Sequence, residues 1–275
     1  MSTSLRITFL GTGTSSGIPT LGCGCAVCRS TDPHDQRLRT SALVEGGGTR
    51  VLLDCGPDFR QQMIAAGCPP IDAVVLTHAH ADHVLGLDDT RSLTMRDRPP
   101  LRIFADPPTL EGLKRMFQYA FERIDERQAL PRWELVPIDG PFEVGGLRFL
   151  PRPLPHFPSH SLSFEISPVE QIRRVGGPRT RLIYATDCQA VEPATVADFR
   201  GCDLLVLDML RERKHISHLS LEEALAIAAE VGAKQTLFVH MNHEVSHAAM
   251  SARLPAGVAL AFDRQVVTLE DKLEG

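Results

Sequence analysis

The sequence predicts an α/β fold in which two β-sheets pack together and helices cover them. Three observations point there. Short apolar runs with strand character come in two batches, and helical apolar spacings fall between them. The chain has 275 residues, enough for such a layered unit, and one domain over 1–275 is expected. Its composition, 43% hydrophobic and 23% charged, is that of an ordinary globular protein rather than a disordered one.

Leu5–Leu10 reads as the first strand, ending in a loop with Gly11, Gly13 and Gly17. That loop lacks the Lys-Ser/Thr of a phosphate-binding P-loop and the spacing of a dinucleotide fingerprint, so it reads as a tight turn whose amides are open to a phosphate. Ser41–Val44 and Thr49–Asp54 flank three glycines as a hairpin. Pro57 to Ala66 reads as a short helix stopped by Gly67, and Ile71–Leu76 as a buried strand. Leu101–Ala105 is another strand, followed by helical spacing from Leu110 to Phe121. Trp133–Val136, Phe142–Val144, Leu147–Leu150, Ser161–Ile166, Leu182–Ala185 and Leu204–Leu207 continue the strands. Ser220-Leu-Glu-Glu223 has the reciprocal cap of a helix start, with Gly232 as its stop. Thr236–Val239 is a further strand, and Val258–Phe262 and Gln265–Leu269 read as a closing pair.

Charge and patterning exclude several classes. Lys plus Arg number 29 and Asp plus Glu 34, a net charge of −5, against the basic field a nucleic-acid wrapper needs. Arg173, Arg174, Arg179 and Arg181 form only a modest basic stretch, read as a solvated loop. Residues 95–132, with Arg96, Arg98, Lys114 and Arg115, read as a surface helix rather than a second phosphate site. No apolar run approaches the roughly 20 residues of a membrane span, and the first ten residues lack a secretory segment, so a cytoplasmic, reducing compartment is expected.

Of the seven cysteines, three crowd into Cys23-Gly-Cys25-Ala-Val-Cys28, a spacing that suits a metal better than a disulfide framework. Three thiolates need a fourth partner for a closed zinc site, and His243 offers one. Cys55, Cys68, Cys188 and Cys202 read as buried small residues, and His34 and His247 as surface residues.

The strongest signal follows the strand Ile71–Leu76: Thr77-His78-Ala79-His80-Ala81-Asp82-His83. Imidazoles crowded this closely compete for hydrogen bonds when neutral and repel when charged. A divalent cation resolves both conflicts, and these ligand types accept zinc, manganese or iron. His156, Asp187 and His240 each stand at the carboxyl end of a predicted strand, where α/β sheets place functional groups. His160 rivals His156, which is preferred because it directly follows the strand end.

With these residues in this order, the chain resembles the metallo-β-lactamase fold superfamily of hydrolases. The resemblance covers nearly the whole chain and implies a four-layer αβ/βα sandwich with two metals at one edge of the sheets. It implies that His78, His80 and His156 hold one ion, that Asp82, His83 and His240 hold the other, and that Asp187 bridges them. Asp54 matches a buried carboxylate that supports the ligand loop. Two such ions acidify a shared water towards a pKa of ~7 and steady charge on phosphoryl or acyl oxygens, so a bridging hydroxide serves as nucleophile and Asp82 and Asp187 count as catalytic through the ions.

The cysteine cluster with His243 narrows the resemblance to the phosphoribosyl 1,2-cyclic phosphate phosphodiesterase group of phosphonate breakdown. There the additional zinc is structural, and a histidine ahead of the capped helix protonates the leaving oxygen. His218 matches that place better than His215. The expectation is a metal-dependent phosphodiesterase with manganese, zinc or iron at its active site. Its expected substrate is a small phosphodiester, with no membrane or nucleic-acid partner and a homodimer as the oligomer to test. The rival readings are a transfer-RNA 3′-end endonuclease and a non-catalytic cofactor-biosynthesis accessory on the same scaffold.

Overall fold

The computed structural model describes residues 4–95, 98–122, 125, 129–173 and 179–270. Arg96 and Arg174, two of the basic groups considered above, lie outside the described residues. In chain order the strands are β1 (Leu5–Gly11), β2 (Ser41–Gly46), β3 (Thr49–Leu53), β4 (Ala73–Val75), β5 (Leu101–Ala105), β6 (Trp133–Pro137) and β7 (Phe142–Val144). They continue as β8 (Leu147–His156), β9 (Ser159–Pro168), β10 (Leu182–Ala185), β11 (Leu204–Asp208), β12 (Gln235–Val239), β13 (Val258–Leu260) and β14 (Val266–Leu269). One sheet runs β14-β1-β2-β3-β4-β5-β6 and the other β13-β12-β11-β10-β9-β8-β7. Each is antiparallel at one end and parallel at the other: β3 to β6 run parallel, as do β10 to β13.

Strand alternation builds the layers. Val51 and Leu53 face a core shared by both sheets, together with Ile7, Val75, Phe164 and Val206. Leu52, between them, points outward beneath helices α1 (Phe59–Ala65) and α3 (Pro107–Met116), which the short α2 (Ala81–Val84) separates in the chain. The outer face of the other sheet carries Ile183, Leu205 and Phe238. It is covered, after α4 (Gln118–Phe121) and α5 (Val169–Arg173), by α6 (Pro193–Phe199), α7 (Leu221–Val231) and α8 (His247–Ser251). The result is the four-layer αβ/βα sandwich. Each fully buried aliphatic or aromatic side chain contributes about 1.5–3 kcal/mol of transfer free energy. Among the described residues no helix is long and apolar enough to cross a membrane.

Local chemistry explains the boundaries. The β2–β3 hairpin turns through Gly47 and Gly48, both at positive φ (54° and 75°), which L side chains adopt reluctantly. Helix α7 has the reciprocal cap: Ser220 N donates to Glu223 Oε2 at 2.9 Å, and Glu223 N donates to Ser220 Oγ at 3.4 Å. Strand β8 tolerates Pro151, Pro153 and Pro155 because their period of two puts the missing donors on one side, away from β9.

Several expectations need correction. Val258–Leu260 and Val266–Leu269 do not pair: β13 extends the second sheet parallel to β12, while β14 crosses to pair antiparallel with β1. Arg264 turns the chain at φ 71°, and reciprocal bonds between Phe9 and the 264–265 segment anchor the crossing. The helix expected through Phe121 breaks at Phe117, where ψ is 36° and the buried ring packs edge-on against Trp133. Cys68 is exposed rather than buried, because it follows α1 at φ 51° on the surface. His34 and His247 are half-buried, their rings 4.6 Å apart, with Phe262 4.3 Å from His34. The amides of Gly13, Thr14 and Gly17 are already engaged by Leu38, Met241 and Thr14 carbonyls, so they are not open to a phosphate. A Cβ on Gly11 would stand 2.0 Å from the Arg39 carbonyl, which is why that position has no side chain.

Candidate metal centre

The strand ends that carry the site share one feature. Asp54 after β3, Asp187 after β10 and His240 after β12 are non-glycine residues in the left-handed region, with φ of 58°, 56° and 63°. Such a conformation is costly for an L residue and persists where packing over-determines it, which is common at functional sites. Each turn swings a polar side chain back over the edge of its sheet.

The loop after β4 is pressed against the loop after β3. Cys55 N donates to the His83 carbonyl at 2.7 Å, and Gly86 N to the Cys55 carbonyl at 2.9 Å. This approach needs glycines on both sides: a Cβ on Gly56 would lie 1.9 Å from the Asp82 carbonyl, and one on Gly86 1.9 Å from the Gly56 carbonyl. Beneath it, Asp54 is wholly buried and accepts hydrogen bonds from Thr77 N (2.8 Å) and the Thr77 hydroxyl (3.0 Å), and pairs with His83 Nδ1 (2.8 Å). Burial pushes the Asp54 carboxyl up, and the neighbouring His83 partly offsets that.

Two donor clusters result. His78, His80 and His156 offer ring nitrogens within 4.8 Å of one another, with His156 Nε2 3.2 Å from His80 Nδ1. Asp82, His83, Asp187 and His240 form the second. In it His83 Nε2 is 3.3 Å from both Asp82 Oδ2 and Asp187 Oδ2, and His240 Nε2 is 3.2 Å from Asp187 Oδ1. Asp187 joins the clusters, since its Oδ1 is also 4.0 Å from His156 Nε2. His78 Nε2, His83 Nε2 and both ring nitrogens of His240 are buried without hydrogen-bond geometry to any partner. Buried polar atoms are rarely left so. Lone pairs that converge at ion-pair distance without hydrogen bonding are suited to hold cations. The charges agree. Burial opposes ionisation of Asp82 and Asp187, yet neighbouring imidazoles hold both well below the usual carboxylate range. Burial pushes the His78 imidazole down, towards the neutral form that ligates.

His218 stands beside both clusters. Its ring stacks on His240 at 4.6 Å and 14°, lies 4.9 Å from His156, and offers Nδ1 to Asp208 Oδ2 at 2.8 Å. Burial alone would lower its pKa, but Asp208 pushes it up to about 9. His215 lies farther out. Its Nδ1 accepts from Ser217 N at 3.2 Å, and its ring is 5.3 Å from His218. His160 is drawn away from the clusters to Asp106 Oδ2 at 2.6 Å, on the carboxylate that also caps α3 through Thr109 N. His156 alone of that pair reaches His80, and its Nδ1 donates to the Ser217 carbonyl at 2.9 Å.

Asp208, Thr77 and Ser217 escape the sequence reading. Asp208 had a usable signal, because it ends the apolar run Leu204–Leu207 as Asp187 and His240 end theirs. Ser217 acts only through its backbone, which leaves no trace in a sequence.

A third cluster lies apart. Cys23, Cys25, Cys28 and His243 offer ligand atoms within 4.8 Å of one another, with Cys23 Sγ 3.1 Å and Cys25 Sγ 3.5 Å from His243 Nδ1. Backbone amides of Cys28 and Thr20 donate to the sulfurs of Cys25 and Cys28. The first of these bonds, helped by His243, draws the Cys25 thiol down to about 6 against its slight burial. The intervening Met241 exchanges backbone bonds with Thr12 and Thr14, tying the cysteine loop to the strand end that carries His240.

Comparison with known proteins agrees with this architecture. Residues 49–241 match the model of the beta-lactamase superfamily domain. A crystal structure of a diphosphatase from the PhnP family is 36% identical and superposes with a TM-score of 0.86 over 98% of this chain and 99% of that one. The octanoyltransferase of Porphyromonas gingivalis is 33% identical over 98% of this chain, which spans only 52% of that protein's length. The coenzyme PQQ synthesis protein B of Methylorubrum extorquens is 28% identical over 87% of this chain and 90% of that protein. With the fold, the order of the donor residues and these likenesses together, the chain belongs to the metallo-β-lactamase superfamily, in the branch of the PhnP-family proteins.

Proposed function

We propose that this chain is a metal-dependent phosphodiesterase that opens a small cyclic phosphate ester. In this reading His78, His80 and His156 hold one divalent ion, Asp82, His83 and His240 hold a second, and Asp187 is shared. Cys23, Cys25, Cys28 and His243 hold a structural zinc. A bound ion pair supplies Lewis acidity for phosphoryl oxygens and lowers the pKa of water. The chain's own groups do the rest. Asp54 and Thr77 fix the ligand loop, and the Ser217 carbonyl fixes the His156 ring. His218 delivers a proton to the departing oxygen.

The observation that carries the reading is the His218–Asp208 pair beside the two donor clusters. An ion-binding site alone has no need of an imidazole paired with a buried carboxylate and stacked on one of its ligands. Departure of an alkoxide from phosphorus does need one, and a placed acid contributes about 10²–10⁴-fold. A second reading, a diphosphate linkage as substrate, is favoured by the name of the 36% identical PhnP-family neighbour. It uses the same groups on an anhydride whose leaving group needs less protonation.

The test is elemental analysis combined with a panel of ribose cyclic phosphates, bis(p-nitrophenyl) phosphate, nucleoside diphosphate esters and precursor transfer RNA. Asp187→Ala should lower both metal content and turnover. Failure to cleave any phosphoester with two ions bound sinks the proposal. Cleavage of the diphosphate esters alone selects the second reading, and cleavage of the transfer RNA alone replaces both.

A further inference from the structure

Within the cysteine cluster, Cys25-Ala26-Val27-Cys28 sets two thiols apart by two residues, the spacing that dithiol–disulfide chemistry uses. The fold puts them in position for it. Arg29 N donates to the Cys25 carbonyl at 3.1 Å, so residues 25–29 make one helical turn, in which side chains three positions apart share a face. Cys28 N donates to Cys25 Sγ at 3.4 Å, and the two sulfurs lie within 4.8 Å of each other, a gap that side-chain rotation can close.

The two thiols are unequal. Cys25 is half-buried and within reach of a small reagent, while Cys28 is buried and its sulfur accepts from Thr20 N at 3.3 Å. An open thiol beside a sheltered one is the arrangement of an attacked and a resolving cysteine. Cys55, Cys188 and Cys202 are buried, and Cys68 is exposed but outside every donor cluster among the described residues. The cluster also holds more than its own loop. Met241, between His240 and His243, exchanges backbone bonds with Thr12 and Thr14. Glu244, next to His243, accepts from Arg213 Nη2 at 2.7 Å and Nε at 3.2 Å, in the segment that leads to Ser217 and His218.

We infer that Cys25 and Cys28 are an oxidisable pair, which a peroxide converts to a disulfide with release of the zinc and loosening of the segment that carries His240. The inference rests on the structural-zinc reading. The Cys25 sulfur takes one oxygen from the peroxide, whose O–O bond breaks as the remainder is reduced to water or an alcohol, and a sulfenic acid results. The Cys28 sulfur then attacks the Cys25 sulfur. The S–S bond forms, and the oxygen departs as water with a proton from Cys28 or solvent. Cys23 and His243 remain, too few for a closed tetrahedral site.

The experiment uses the full Cys68→Ser chain loaded with zinc, so that the exposed thiol takes no part. Zinc content of the reduced chain is read first, against a Cys25→Ser chain loaded in the same way. Hydrogen peroxide in modest excess should then remove about two free thiols and release about one zinc per chain, in step with each other. Peptide mass spectrometry should place the disulfide between Cys25 and Cys28, and dithiothreitol with added zinc should restore the starting state. In Cys28→Ser the reaction should stop at the sulfenic acid on Cys25, captured by dimedone. Binding at the Asp82, His83, Asp187 and His240 cluster, read with a metal-sensitive dye, should weaken about tenfold in the oxidised chain. A disulfide between another pair, thiol loss with the zinc retained, or unchanged dye competition overturns the inference and leaves the structural-zinc reading in place. A reduced chain that holds no more zinc than Cys25→Ser overturns that reading, and the inference with it.

Discussion

His218 Nδ1 lies 2.8 Å from Asp208 Oδ2, an oxygen that also accepts from Cys188 N at 2.9 Å, and the Asp208 side chain is wholly out of solvent. The carboxylate is therefore fixed from one side by backbone and spends its charge on the imidazole. Asp208→Asn keeps an acceptor for both donors and removes the charge that favours the protonated ring. Turnover of an alkyl phosphodiester should fall by about 10²-fold, while a p-nitrophenyl ester, whose leaving group departs without help, should be slowed much less. Equal losses on the two substrates would make Asp208 a packing residue and nothing more.

Asp54 acts one layer further back. It touches Thr77 and His83 and none of the other donors, so its removal tests orientation separately from ligation. Asp54→Asn should weaken binding at the Asp82, His83 and His240 cluster by roughly 10–100-fold, and at the three-histidine cluster by less, because there Asp54 acts only through the Thr77 hydroxyl, 2.9 Å from His78 Nδ1. Competition with a metal-sensitive dye, read as two separate affinities, measures this. A parallel loss at both clusters would mean that the whole ligand loop has shifted.

How much of this was readable in advance follows from how each residue works. Sheets buried on both faces give apolar runs, and a polar residue that ends such a run is visible without a structure, as with Asp187 and His240. The cysteine and histidine motifs are local in sequence and equally plain. Long-range choices were not. Nothing near Val258 says that the chain will leave one sheet and cross to the other, because the partner of β14 is Leu5–Thr8 at the opposite end. The choice between His156 and His160 turned on Asp106 and Ser217, each more than fifty positions from its histidine. The same holds for the loop amides, which Leu38 and Met241 had already taken.

The cysteine loop is tied at its base by reciprocal backbone bonds between Ile18 and Arg37, but its interior is thinly packed. Its own apolar cluster is Ile18, Val27 and Cys28, with Cys23 and Cys25 at the margin. In the structural-zinc reading proposed above, an ion cross-links this interior. Cys25→Ser should therefore remove about one zinc per chain, lower Tm by at least about 5 °C and open residues 14–37 to protease, while metal at the other clusters is retained. Unchanged zinc content with unchanged proteolysis would leave the four residues as a cluster of thiols beside a histidine.

Asp263 supplies a pH dependence away from the donor clusters. Burial pushes its carboxyl up to about 6, against hydrogen bonds from Leu38 N (2.7 Å) and the Thr12 hydroxyl (2.8 Å). The folded chain thus holds this proton more tightly than the unfolded chain, where an aspartate titrates near 4. Its contribution to stability is complete below about pH 4 and is lost as the pH rises through about 6. Asp263→Asn is neutral throughout. The stability of the natural chain relative to this variant should therefore fall by on the order of 2 kcal/mol between pH 4 and pH 7, read from denaturant unfolding at matched pH. Titration of the donor clusters is common to both chains and cancels in the difference. A difference that stays flat over this range would show that the hydrogen bonds from Thr12 and Leu38 fully offset the burial.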